Sequence, residues 1–431
     1  MQTMISIPES RPAPLSSKES GLSERPAVKG LRLTWHRRHT FPEALAKWRE
    51  LEARLQWRAV TSSTRWTETW LKQYGDQLSP EIVIAEEAGI VRGALLVVTS
   101  ERQFEGPIRL RTVHLGTAGE TDTDSVIVEY NTICADEGSR VPFLNEVVAT
   151  LAQRQTWDEL RLDGFTERDL SPILEHRPQF TLRRRPCYHT QFVATDSAAS
   201  VIEQLTAQAR RAIRRNLRMY EGATTEWATT IDHAHNVFDD LIRLHQARWI
   251  AEGKPGAYAS EQFTQFHREL LEELVPAGRA VFVRIRKGEE VIGCSHLLID
   301  RGRGLLYQSG HAPHESQRSP GLLTDWLTLM ACKEHGLEAF DFMAGETYHK
   351  RRLTLHTDEL VWARWIRPSW KRIVIDRLRD FKRLSQNWWA QCRTNQCRTD
   401  SGSAEASPKA EVDENNAADT PAATSTPRAS E

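Results

Sequence analysis

Apolar positions along this chain recur with two different periods. Phe41, Leu45, Trp48, Leu51 and Leu55 are spaced by threes and fours, which predicts a helix with one buried face. Trp66, Trp70 and Tyr74 extend the same rule to a second helix over 65–74. The next run, EIVIAEEAGIVRGALLVV, reads as two apolar strands broken at Glu87-Ala88-Gly89, a hairpin. A strand over 111–115, a polar loop, a helix near 140–155 and a strand over 159–163 follow. The scheme then repeats. Helices over 237–250 and 261–274 precede strands over 280–285 and 290–299, which turn at Gly288. A strand over 304–309, a helix over 321–335 and a strand over 338–343 complete it. Gly116 ends a strand in HLG and Gly310 ends one in QSG. WDELRLDGF (157–165) parallels GLEAFDFMAG (336–345), each a strand after a helix with an Asp near its end, Asp163 and Asp341. We read this as an internal duplication in pattern, with the second loop about 16 residues shorter. The plainer alternative is that any α/β protein repeats strand–helix–strand units.

The two ends carry no such period. Residues 1–30 are rich in Ser, Pro and Glu, and 399–431 hold no aromatic residue and one aliphatic residue larger than alanine, Val412. Neither can bury enough surface to offset chain entropy, so both are expected to be disordered. Between them lie two halves, 31–195 and 196–368, and a segment over 369–398 with eight basic and two acidic residues. In that segment Val374, Leu378, Phe381, Leu384 and Trp388 form an apolar stripe on a basic helix. Such a helix suits peripheral contact with an anionic membrane or packing against the second half.

Composition narrows the class of protein. The chain has 431 residues, 39% hydrophobic and 27% charged, with a formal charge of −1. No run of 18 apolar residues exists, and the start lacks a basic region followed by an apolar stretch. A spanning helix and a secretory signal are therefore not expected. The six cysteines are scattered without a C-x-x-C, which fits reduced thiols in the cytoplasm. His233-x-His235 and His311-x-x-His314 lack further ligands at metal spacing, so no metal site is expected. Near-zero charge argues against a DNA partner. It is nevertheless a sum of unlike parts, because the tail is acidic and the segment before it strongly basic.

Three stretches offer chemistry. In 305–336 a strand runs through His311 into Gln317-Arg318-Ser319-Pro320-Gly321-Leu322 and then a helix. Ser319 fits the N-cap and Pro320 the first helical position. Gly321 leaves room for a ligand near the orphan N–H groups, and a phosphate or pyrophosphate suits that place; an ordinary capped helix reads the same way. In FDFMAGETYHKRRLTL (340–355) a strand ends at Asp341 and opens onto Glu346, Tyr348, His349 and Lys350. Titratable groups beyond a strand's carboxyl end suit a ligand site or a polar loop. The helix AQARRAIRRNLR (207–218) carries five arginines, which suit an anionic partner or carboxylates on another element. No G-x-S-x-G, G-x-x-x-x-G-K-[ST] or G-x-G-x-x-G occurs.

Taken in order, four segments resemble the GNAT-superfamily acetyltransferases of the CelD type, associated with bacterial exopolysaccharide synthesis and related in fold to FemAB aminoacyltransferases. They are ARRAIRRNLR (209–218), LHQARWIAEGKPGAY (244–258), SGHAPHESQRSPGLL (309–323) and FDFMAGETYHKRRL (340–353). EYN (129–131) and WDELRLDGF also fit the N-terminal region of these proteins. The resemblance spans about 35–368. It implies an α/β fold with mixed sheets, built as two tandem GNAT-like domains, with acetyl-CoA as donor and a small-molecule or saccharide amine or hydroxyl as acceptor. It implies a cytoplasmic enzyme, peripheral at the inner face of the membrane if 369–398 docks there. Residues 317–322 would face the CoA pyrophosphate, although only Arg318-x-x-Gly321 of the usual loop remains. Arg248, Trp249, His311 and Lys350 would line the acceptor side. Glu346, then Asp341, would deprotonate the acceptor, and Tyr348 or His349 would protonate the leaving thiolate. Two other readings stay open: aminoacyl transfer of the FemAB kind, and a non-catalytic scaffold for envelope-polysaccharide synthesis.

Overall fold

In the computed structural model residues 30–380 are described, apart from 57–58, 106, 176, 194–196, 314–318, 346–347 and 379. In chain order the elements are β1 (Leu31–His36), α1 (Phe41–Arg54), α2 (Thr64–Tyr74), β2 (Ser79–Glu87), β3 (Ile90–Glu105), β4 (Ile108–Leu115), β5 (Cys134–Ala135), α3 (Arg140–Gln153), β6 (Glu159–Thr166), α4 (Glu167–Leu174) and β7 (Thr181–Gln191). There follow α5 (Ala198–Gln204), α6 (Ala207–Met219), β8 (Thr224–Ala228), α7 (Ile231–Ala251), α8 (Glu261–Leu274), β9 (Ala280–Lys287), β10 (Glu290–Asp300), β11 (Arg303–His311), α9 (Pro320–Glu334), β12 (Ala339–Ala344), α10 (Tyr348–Arg352) and β13 (His356–Ile366). The expected disorder of 1–30 and 399–431 falls, but for Gly30, on residues outside this set, as does the basic segment beyond 380. Residues 370–378 are helical, bury Ile375 and expose Trp370 and Ile373.

The strands form one sheet in the order β1-β2-β3-β4-β6-β13-β7-β12-β11-β10-β9-β8, with β5 beside β3 off this path. Neighbours are antiparallel except for two parallel pairs, β4–β6 and β11–β12. The order mirrors itself about the β13–β7 pair. Each sequence half thus gives its closing strand to the far side. β13, from the end of the chain, pairs with β6, and β7 pairs with β12. Strands such as β2, β9 and β10 are buried on both faces along most of their length, so successive residues enter opposite cores. Ile82 and Ile84 join a core covered by α1, α2, α7 and α8, continuous across both halves. Val83 and Ala85 join the core under α3 and α4. On the same side of the other half, Val281, Val283 and Ile285 pack under α5, α6 and α9.

Aromatic side chains stitch the shared core. Trp66 of α2 meets Phe266 of α8 edge-on, with ring centroids 5.2 Å apart. Lys72 bonds Glu269 at 2.8 Å on the rim of the same contact. Two glycines mark where a helix lies directly on the sheet. A Cβ at Gly93 would sit 2.4 Å from the Phe143 ring of α3, and one at Gly293 would sit 2.1 Å from the Thr324 hydroxyl of α9.

The repeat needs one adjustment in register. β6 pairs with β13 up to Leu162 and resumes at Phe165, skipping two residues. β12 pairs with β7 up to Asp341 and resumes at Ala344, also skipping two. The second skipped residues, Gly164 and Met343, both have positive φ, at 73° and 62°. Asp341 therefore corresponds to Leu162, and Asp163 to Phe342. The aspartates expected near the ends of the two strands, Asp163 and Asp341, thus lie at the same bulge, one position apart.

Candidate functional site

The parallel strands β11 and β12 stay together for only three residue pairs, Arg303–Ala339, Gly304–Phe340 and Leu305–Asp341. Beyond them the strands part. Among the described residues no strand pairs with the β12-facing edge of β11 from Leu306 to His311. That edge presents backbone N–H and C=O groups at the carboxyl ends of parallel strands, where α/β sheets place ligands.

The start of α9 stands at the same end. Ser319 caps it, its hydroxyl accepting from the Leu322 N–H at 3.4 Å, and Pro320 opens the helix. The Ser319 N–H donates to the buried Asn216 of α6 at 3.0 Å, which ties the loop to the arginine-bearing helix. Gly321 lies against His311, with room for a Cβ only 3.2 Å from its imidazole. Arg248 of α7 donates to the same imidazole at 3.4 Å and pairs with Glu252 at 3.0 Å. Four expected site residues, Arg248, His311, Ser319 and Gly321, are thus brought together at a helix N-terminus. Pro320 and Leu322 are buried in the helix seat. Trp249 points its indole N–H at buried His245 at 2.9 Å, and burial holds that imidazole down to a pKa of about 4. Gln317 and Arg318 lie outside the described residues.

The end of β12 forms the other wall. Asp341 is fully buried. Its carboxylate accepts from the Tyr130 hydroxyl at 2.6 Å and from the Met343 N–H at 2.7 Å, and Arg303 stands 3.5 Å away. Burial raises its pKa against these three stabilising partners and His189. The Ala344 N–H donates to Glu129 at 2.6 Å, and Lys350 donates to the Ala344 carbonyl at 2.9 Å. Burial pushes the Glu129 carboxyl up and the Lys350 ammonium down. Asp325, on α9, is pushed up to about 7 by desolvation. In all four groups burial disfavours the charged form, a grouping of shifted titratable side chains that suits a functional site. Glu346 lies outside the described residues, and of Tyr348 and His349 only the backbone, in α10, is described.

Glu129, Tyr130 and Asp325 were not singled out as site residues from the sequence. EYN drew notice only as part of the resemblance. Tyr130 and Asp341 are 211 residues apart, and no local pattern reports such a contact. Asp325 did leave a signal, as an acid in the apolar helix LLTDWLTLMA. Among the described residues no three His, Cys, Asp or Glu side chains are grouped to hold a metal, and no helix is long and apolar enough to cross a membrane.

Residues 207–351 match the family model of an acetyltransferase (GNAT) domain. No curated protein matches the chain in sequence. Among solved structures it is similar to FemX, at 10% identity and a TM-score of 0.49, covering 75% of this chain and 96% of that one. The C-terminal domain of a putative lysylphosphatidylglycerol synthetase from Agrobacterium fabrum is similar at 10% identity and a TM-score of 0.46, over 75% of this chain and 92% of that one. A tandem GNAT protein from the clavulanic acid pathway is similar at 13% identity and a TM-score of 0.42, over 78% of this chain and all of that one. The fold is the tandem GNAT-like α/β arrangement expected from the sequence.

Proposed function

We propose that the chain is an acyltransferase that moves an acyl group, acetyl first among candidates, from coenzyme A to an amine or hydroxyl acceptor. The observation that carries this reading is the fork between β11 and β12 with the capped start of α9 beside it. The Gly321 N–H and the positive dipole end of α9, with Gln317 and Arg318 before it, take the donor pyrophosphate. The free edge of β11 offers an N–H to the thioester carbonyl, whose oxygen gains charge in the transition state. The acceptor nitrogen or oxygen attacks the carbonyl carbon and loses its proton to Glu346. The C–S bond breaks, and the thiolate takes a proton from Tyr348 or His349. The products are the acylated acceptor and free coenzyme A thiol. Lys350, with its ammonium held beside Ala344, favours anionic or polar acceptors. Amino sugars of envelope polysaccharides are the acceptors to screen first.

Donor binding is tested by thermal shift of the full chain with acetyl-CoA. A dose-dependent rise in Tm is expected, and no rise near 1 mM, well above the Kd range usual for such donors, would overturn the reading. Thiol release with an acceptor should fall about 10²–10⁴-fold in Glu346→Gln.

One observation favours a second reading, aminoacyl transfer from charged tRNA. Arg211, Arg215 and Arg218 of α6 are exposed and, among the described residues, have no partner. Three such contacts to RNA phosphates would cost about 20–40-fold in affinity between 50 and 200 mM salt. RNA binding with that slope, together with no acetyl-CoA effect, would favour the tRNA donor.

A further inference from the structure

The first half has a fork of its own. β4 and β6 pair at Thr112–Glu159, Val113–Leu160 and His114–Arg161 and then separate, as β11 and β12 do. This fork is filled. Asn131 enters it as a parallel bridge to Phe165, its backbone N–H donating to the Gly164 carbonyl at 2.8 Å. Its side-chain amide donates to the Leu115 carbonyl at 3.0 Å and to the Asp163 carbonyl at 3.1 Å, so one residue spans both arms. The arms make room for it. A Cβ at Gly116 would lie 3.1 Å from the Asn131 amide, and one at Gly164 would lie 2.4 Å from the Val128 carbonyl. Asn131 is 4% exposed, and the flanking Val126 and Ile133 are buried. The connection from β4 to α3 is long enough to contain this insertion, whereas that from β11 to α9 is not.

The inserted segment also serves the other half. Tyr130, held at φ 54°, donates to Asp341, and Glu129 accepts the Ala344 N–H. A non-glycine residue in the left-handed region is strained and persists where its surroundings over-determine it. Here the contacts lead to both forks. We propose that Val126–Ile133 is a built-in plug. It takes the place of a ligand in the first fork, leaving one donor site per chain, and through Glu129 and Tyr130 it positions the strand end that forms the second fork. The single donor site rests on the acyl-CoA reading above; the positioning role does not.

Two measurements on the full chain separate these parts. Calorimetric titration with acetyl-CoA should give one site per chain, and two sites would overturn the plug as a ligand substitute. No binding would count against the acyl-CoA reading and leave the plug to the second measurement. That measurement is amide hydrogen exchange without ligand. Glu129→Ala and Tyr130→Phe should speed exchange at Met343–Gly345 about tenfold or more while leaving β2 and β3 unchanged. Glu129→Gln keeps an acceptor for the Ala344 N–H and should stay near the wild-type rate. Unchanged exchange at Met343–Gly345, acceleration throughout the sheet, or a Gln variant no better than Ala would each overturn the positioning role.

Discussion

Glu120 shows what a single buried carboxyl does to this protein. It lies in the loop after β4, 5% exposed, and accepts the Trp70 indole N–H. Burial pushes its pKa from 4.5 up to about 7. Because the folded state favours the protonated form, the stability it contributes is complete below about pH 4.5 and is lost as pH rises through 7. The shift corresponds to about 3 kcal/mol. Glu120→Gln keeps an acceptor for Trp70 without the charge. Its Tm should match wild type near pH 5 and exceed it by several degrees at pH 8.5, and equal Tm values at both pH would contradict the assignment. The same scale shows how unevenly the site can be read from sequence. Arg248, His311, Ser319 and Gly321 sit in recognisable local settings, a helix end, a strand end and a cap, and the structure gathers them. Glu129 and Tyr130 do their bonding to Ala344 and Asp341, more than 200 positions away. Their own neighbours in sequence say nothing of it.

Elements were legible where their pattern is self-contained. The stripe of α2 needs only its own residues, and the hairpin between β2 and β3 turns on Ala88 and Gly89 at φ 51° and 77°. β7 and β13 were not legible. β7 reads TLRRRPCYHTQ, with four cationic or proline positions in a row, and proline argues against a central strand. It is central nonetheless. Pro186 lies just past the last paired residue of β12, Ala344 against Cys187; there its carbonyl takes the Gly345 N–H at 3.2 Å and no ladder N–H is required of it on that side. The matched glycines give the test at this scale. Gly93→Ala and Gly293→Ala should each destabilise by about 1–3 kcal/mol, since Phe143 is buried and the Thr324 hydroxyl is tied to the Pro320 carbonyl at 2.8 Å. Gly293→Ala also displaces α9, so it should weaken acetyl-CoA binding while Gly93→Ala should not. Chemical denaturation and donor titration read the two effects separately, and equal donor affinity in both variants would count against the seat of α9.

At the scale of the molecule, the duplication visible in the sequence does not make two independent bodies. The shared core and the exchanged β7 and β13 join the halves through main-chain ladders as well as side chains. Chains of this length usually unfold in stages. This one should unfold in a single calorimetric transition, with van't Hoff and calorimetric enthalpies in agreement. Two resolved transitions would show that the exchange couples the halves weakly.

The exchange also sets an order for synthesis. β6 is made early, but the strand that lies against it, β13, is among the last elements to be translated. At roughly 5–20 residues per second the ribosome needs about ten to thirty-five seconds to travel from β7 to β13. Throughout that interval the nascent first half carries an unpaired strand edge, the kind that recruits other chains. Codon choice and chaperone supply over 192–366 therefore bear on the yield of a first half that was finished long before.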